Sequence, residues 1–154
     1  MRFLVDGWEL NGIVSIESGL HFNVVSGRDN SGTGINSDRP DLVGNPFLPG
    51  DRPRGEQIAR YFDAAAFRQN PAGTFGTAGR NLIAGPGEAL VDIGLVKIFF
   101  LSERHRVAFR AEAFNALNRV NLDNPIGNIA APNVGRITTA GPPRVFQVAL
   151  RYQF

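Results

Sequence analysis

The sequence contains no cysteine, so disulfide frameworks and thiolate metal sites are excluded. Its two histidines, His21 and His105, lie far apart, which argues against a histidine-based zinc site. Charge is sparse: charged residues make up 19%, and 16 basic against 14 acidic residues leave a net +2. That is too little to point to nucleic acid. All basic residues but Lys97 are arginine, and they form no basic run. Long apolar runs are missing too. The longest, such as Ile98-Phe99-Phe100-Leu101, fall far short of the ~20 residues that a spanning helix needs. The opening stretch, Met1 to Leu10, lacks the apolar region of a signal peptide. These absences leave a soluble cytoplasmic protein or a piece of a longer chain, and the rest of the sequence favours the piece.

What is present is one domain's worth of residues, 154, of which 43% are hydrophobic. That is too apolar for disorder. With 18 glycines and 10 prolines, a helical bundle is disfavoured. Four segments alternate at period two, the mark of half-buried strands. The first, Trp8 to Ser18, puts Trp8, Leu10, Gly12, Val14 and Ile16 on one face, and is read as continuing through His21 to Val25. The second, Ala89 to Phe100, sets Val91, Ile93, Leu95 and Phe99 against Asp92, Gly94 and Val96. Lys97 falls on its apolar side. The third, Arg106 to Leu117, sets Val107, Phe109, Ala111 and Ala113 against Arg106, Arg110 and Glu112. In the fourth, Val145 to Phe154, Phe146, Val148, Leu150, Tyr152 and Phe154 oppose Gln147, Ala149, Arg151 and Gln153.

These segments are ten to twelve residues long, whereas soluble strands are most often ~5–6 and a tilted membrane strand needs ~9–11. Aromatics stand near the segment ends (Trp8, Phe99, Phe100, Tyr152, Phe154), as in an interfacial girdle. The connections are unequal. Five residues, 101–105, join the second and third segments, whereas residues 27–87 and 118–144 form long loops rich in Gly, Pro, Asn and Asp. Long structureless loops are unusual in a compact soluble domain, while outer-membrane barrels combine short periplasmic turns with long extracellular loops. The expected fold is therefore all-β: part of an antiparallel transmembrane β-barrel. The same alternation also suits a soluble antiparallel sandwich with one wet face.

A resemblance sharpens this expectation. The carrying stretches are Gly7 to Ile13, Ser18 to Phe22, Asp29 to Gly34, Tyr61 to Phe67, Gly73 to Gly76 and Gly79 to Gly87. They continue with Val91-Asp92-Ile93, Lys97, Phe109 to Asn115, Asn118, Gly135-Arg136-Ile137, Pro143-Arg144 and the terminal segment. In this order they resemble the C-terminal end of the barrel of TonB-dependent outer-membrane receptors, in the Oar-like, carboxypeptidase-regulatory-like branch common in Acidobacteria. The closing Tyr152-Gln153-Phe154 resembles the aromatic C-terminal signal read by the outer-membrane insertion machinery. The resemblance implies energised uptake of a large or scarce solute across a Gram-negative outer membrane. The partners it implies are outer-membrane lipid, the remaining barrel strands and plug, the insertion machinery and the TonB system. The family's plug domain, TonB-contacting segment and signal peptide are not in the sequence. Four strands of a barrel of about 22 imply a fragment that does not transport alone.

Candidate sites follow from the faces. Phe146, Val148, Leu150, Tyr152 and Phe154 form the candidate assembly signal, or simply the last strand of any antiparallel sheet. Val91, Ile93, Leu95, Val107 and Phe109 are expected to face lipid, and Asp92, Arg110, Glu112, Gln147 and Arg151 the lumen. Cross-strand charge pairing, Arg110 with Asp92 or Glu112 with Arg151, is the expected structural role of these charges. Glu9 and Glu17 are ~27 Å apart along a strand, too far for a catalytic carboxylate pair. Asp29, Asp38, Asp41 and Asp51 lack EF-hand spacing, and Asx turns account for them. Gly79 to Gly87 has no Gly-Lys-Ser/Thr and is no phosphate loop. No Gly-x-Ser-x-Gly elbow exists. The sequence thus predicts no enzyme, no cofactor, no metal and no nucleic-acid partner. Three readings stand side by side: a transport-barrel segment, a soluble β-sandwich binding module whose loops recognise a partner, and a small anchor that completes a barrel by oligomerising.

Overall fold

The computed structural model describes residues 5–154. In chain order the elements are β1 (Trp8–Glu17), β2 (His21–Phe22), β3 (Asp41–Leu42), α1 (Arg54–Ala59), β4 (Phe67–Arg68), β5 (Ile83–Ala84), β6 (Glu88–Phe100), β7 (Arg106–Phe114) and β8 (Val145–Gln153). One turn of 3-10 helix, Ala64–Ala66, precedes β4. The chain divides into two compact units. A sheet unit holds the chain up to Glu17, then Glu88–Asn121 and Pro142–Phe154. A loop unit holds Ser18–Gly87 and Leu122–Gly141.

In the sheet unit the four long strands lie in the order β1-β6-β7-β8, antiparallel throughout. They are the four alternating segments of the sequence. Residues directly opposite in an antiparallel ladder share a face. One row across the sheet reads Leu10, Leu95, Ala111, Val148. The next reads Trp8, Lys97, Phe109, Leu150. A third reads Gly12, Ile93, Ala113, Phe146. The apolar sides of all four strands therefore join into one continuous face. The opposite face carries Glu9, Asn11, Asp92, Arg110, Glu112, Gln147 and Arg151, interspersed with Ile13, Val96 and Phe114.

Two strand ends differ from the sequence expectation. The third segment was expected to reach Leu117, but β7 stops at Phe114. Asn115 and Asn118 take left-handed backbone conformations, φ 48° and 51°. Asn adopts that region more readily than most residues, and a strand cannot pass through it. The Asn115 carboxamide then stitches the turn: it donates to the carbonyls of Arg119 (2.9 Å) and Pro142 (3.2 Å) and accepts from the Arg119 amide (3.0 Å). The continuation of the first segment through His21 to Val25 does not form either. β1 ends at Glu17, and His21–Phe22 pairs instead with Ile83–Ala84. The break is at Gly19, where a Cβ would stand 1.7 Å from the Gly85 carbonyl oxygen. Only glycine permits that backbone approach.

The long connections, expected to be structureless, fold. Val24, Phe62, Ala66, Phe67, Ala78 and Ile83 make a buried core, with Phe22, Leu42, Tyr61, Ile129 and Val134 packed against it. Phe62 meets Phe67 edge-on, with ring centroids 5.8 Å apart, and lies 6.1 Å from Phe22. The two stretches of the unit interlock through backbone bonds. The Tyr61 amide donates to Gly135 O (2.7 Å) and the Ile137 amide to Ile58 O (2.9 Å). A parallel bridge joins Val25 and Asn128. The buried core comes wholly from Ser18–Gly87, and Ile129 and Val134 of the second stretch pack against it, removing further apolar area from water.

Candidate functional site

The sheet's apolar face is open. Leu10, Val14, Ile16, Phe146, Val148 and Leu150 are each between 66% and 78% exposed. A contiguous apolar patch on this scale marks a surface meant for another apolar phase. Val91, Ile93, Leu95, Val107 and Phe109 all lie on this face, and Asp92, Arg110, Glu112, Gln147 and Arg151 all lie on the other.

The aromatics collect at the short-turn end. Trp8, Phe99 and Tyr152 occupy the apolar face there, and the Tyr152 and Phe154 rings are 5.9 Å apart. Phe100, grouped with them from its position, falls instead on the polar face opposite Arg106. The period of two makes neighbours in sequence face opposite ways. His105 has a defined partner: its Nδ1 is 2.6 Å from the Tyr152 hydroxyl, with the two rings stacked.

Lys97 is the least expected member of the apolar face. It is 2% exposed, between Trp8 of β1 and Phe109 of β7. Its ammonium lies 5.0 Å from the Trp8 ring centre and 5.3 Å from that of Phe99, and donates to the Asp6 carbonyl. Ring quadrupoles and a carbonyl are the groups that make a cation tolerable on an apolar surface.

The polar face corrects the expected charge pairing. Arg110 pairs with Glu112 on its own strand, and the Asp92 carboxylate accepts the Asn115 amide at 2.8 Å. Arg151 stands opposite Ala108 in the ladder, so it is not Glu112's cross-strand partner. Residues i and i+2 of a strand share a face ~7 Å apart, which long side chains bridge as easily as a cross-strand gap.

In the loop unit the acidic residues tie down backbone. Asp29 accepts the amides of Thr33 (2.9 Å) and Gly34 (2.7 Å), and Asp38 takes the Ser31 amide and hydroxyl. The Gly34 amide leads the effects that hold the Asp29 carboxyl below its ordinary value. The Arg60 guanidinium does the same for Asp63, which also caps the 3-10 turn through the Ala65 amide. Among the described residues no three His, Asp or Glu side chains are grouped to hold a metal ion. Two clefts open in this unit. One of about 200 Å³ is lined by Phe47, Arg52, Tyr61, Phe62 and Ile83 among others. The other, about 320 Å³, is lined by Thr33, Ile35, Arg39, Phe75 and Arg80 among others.

A long antiparallel sheet with one face apolar and one polar has the form of a membrane-barrel wall. A family model described as outer membrane beta barrel domain matches residues 1–147. The chain belongs to the outer membrane beta barrel domain family. No curated protein and no solved structure matches it. Among the described residues the sheet is open rather than closed, with β1 and β8 at its edges. Outer-membrane placement also excludes the soluble sandwich, which would need its apolar face covered. The clefts, the Lys97 cage and the His105–Tyr152 pair carried no sequence motif; each depends on residues brought together by register or by loop packing.

Proposed function

We propose that the chain is the C-terminal barrel segment of a TonB-dependent receptor, part of a longer protein that imports a large or scarce solute across the outer membrane of a Gram-negative cell. The observation that carries the reading is the asymmetry of the connections. The five-residue turn 101–105 sits at one end of the sheet, and both long connections leave the other end and contribute to one folded loop unit. A receptor needs that arrangement: periplasmic turns kept short, and a built surface facing the medium. In this reading Val91, Ile93, Leu95, Val107 and Phe109 face lipid. Asp92, Arg110, Glu112, Gln147 and Arg151 face the lumen and the plug. Phe146, Val148, Leu150, Tyr152 and Phe154 present the signal to the insertion machinery. The role is binding and transport rather than catalysis, with energy coming from the TonB system through parts of the protein outside this segment.

The segment carries no cysteine, so the test is clean once any cysteine elsewhere in the protein is replaced by serine. Thr33→Cys and Ser102→Cys are each introduced into the protein in intact cells and exposed to a membrane-impermeant maleimide. Labelling at position 33 and none at 102 until the outer membrane is permeabilised supports the orientation; the reverse pattern overturns it. For the energy source, deleting the gene and disabling TonB should abolish uptake of the same solute. Uptake that survives loss of TonB rules the transport reading out.

A further inference from the structure

We propose that the cleft between Phe47 and Arg52 in the loop unit is a binding subsite for a small carboxylate borne on a ring. The anchor is Arg52. Its Nε donates to the Pro49 carbonyl (2.9 Å), Nη1 to Arg60 (2.8 Å) and Nη2 to Tyr61 (3.3 Å). Three of the five guanidinium N–H groups thereby fix the plane, and two remain. Among the described residues no carboxylate lies within ion-pair distance of it. An immobilised guanidinium with donors to spare is pre-organised for a planar anion, because its ordering cost is met before the ligand arrives.

The cleft around it is apolar. Phe47, Leu48, Tyr61 and Ile83 line it, and Phe47 is 56% exposed on a segment held by a bond from its amide to the Asn45 side chain. A volume of about 200 Å³ is below the ~300–1,000 Å³ of drug-sized sites, so the fit is to a single ring with its acid group. The inference rests on the receptor reading for its purpose, a first contact with the solute, but its binding chemistry is tested without transport.

The full chain, folded in detergent micelles with labelled Ile, Leu and Val methyl groups, is titrated with 4-methylbenzoate and with 4-methylbenzamide. The expected result is saturable shifts at Ile83 and Leu48 with the acid, binding of the amide about tenfold weaker, and still methyls at Val148 in the sheet. Phe47→Ala, an exposed position, should weaken the acid about fivefold with the spectrum otherwise native. Arg52→Gln should remove the preference for acid over amide. Because Arg52 also holds its loop, Phe47→Ala is the deciding variant. No saturable shift, equal binding of acid and amide, or an unaltered Phe47→Ala titration overturns the proposal. Shifts of equal size at Val148 reveal partition into the micelle and overturn it as well. None of these failures alters the maleimide pattern or the TonB dependence by which the receptor reading stands or falls.

Discussion

In the sheet, Leu10, Val14, Ile16, Val148 and Leu150 are 66–78% exposed, whereas in the loop unit Val24, Phe62, Ala66, Phe67, Ala78 and Ile83 are 7% exposed or less. The same chain obeys two solvent rules. The loop unit has a buried apolar core of its own, although some of its apolar side chains, Phe47 and Phe75 among them, stay exposed. The sheet is inverted, with its largest apolar side chains turned out and no core of its own, as suits a wall whose outer solvent is hydrocarbon. Composition separates the two regions in part, with glycine and proline gathered in the loop unit. Order separates them further: strict alternation in the sheet, scattered apolar positions in the loops.

The comparison breaks hardest at Phe62. Phe62→Ala leaves a hole at the centre of the loop core and should cost about 3–5 kcal/mol. Amide exchange should rise throughout residues 18–87 and 122–141 while β6 and β7 stay protected. Exchange that rises equally in both units would show that they unfold as one. Next comes the sheet. Val148→Arg places a charge on the apolar face and should cost about 2–4 kcal/mol at mid-depth, blocking assembly, while Gln147→Arg on the other face should be mild. Heat-modifiable migration on gels reads both, and equal damage from the two would refute the assignment of faces. Third, Asn115→Ala removes three hydrogen bonds and leaves alanine at φ 48°, for a loss of about 1–3 kcal/mol confined to the end of β7. Asn115→Gly should recover only the backbone part.

The mildest effect is on acid sensitivity. Asp29 and Asp63 both have carboxyls held below the ordinary 3.8, by the Gly34 amide and the Arg60 guanidinium respectively. A carboxyl with a depressed folded value stabilises above the unfolded value and loses that contribution as pH falls through the folded one. The loop unit should therefore loosen below about pH 3.8. Asp29→Asn should flatten that limb, seen as weaker pH dependence of amide exchange at Thr33 and Gly34. An unchanged limb would remove Asp29 from the account.

The four strands and their two faces were legible in the sequence because a period of two survives any context: if Leu10 points one way, so do Gly12 and Val14. The loop fold was not legible, because Phe22, Phe62, Phe67 and Ile83 come together from well-separated positions of one stretch, with Ile129 added from a second, and distance in sequence hides that. The run-on of the first strand failed at Gly19 for the same reason. Its glycine answers a backbone, at Gly85, that no local pattern reveals. The Arg110 partner falls outside the expected cross-strand pairs because a residue two along the same strand shares its face within equal reach. The cleft at Arg52 was invisible because the arginine's partners are main-chain carbonyls, which leave no mark on residue choice.

Lys97 is the single lysine of the chain, and it is enclosed by rings on an inner strand, near the short-turn end. In the folded sheet an amine-acylating reagent or a lysine-directed protease has no access to it. Modification or cleavage at position 97 therefore times the opening of the sheet itself, a reporter already placed in the strand that both its neighbours must release.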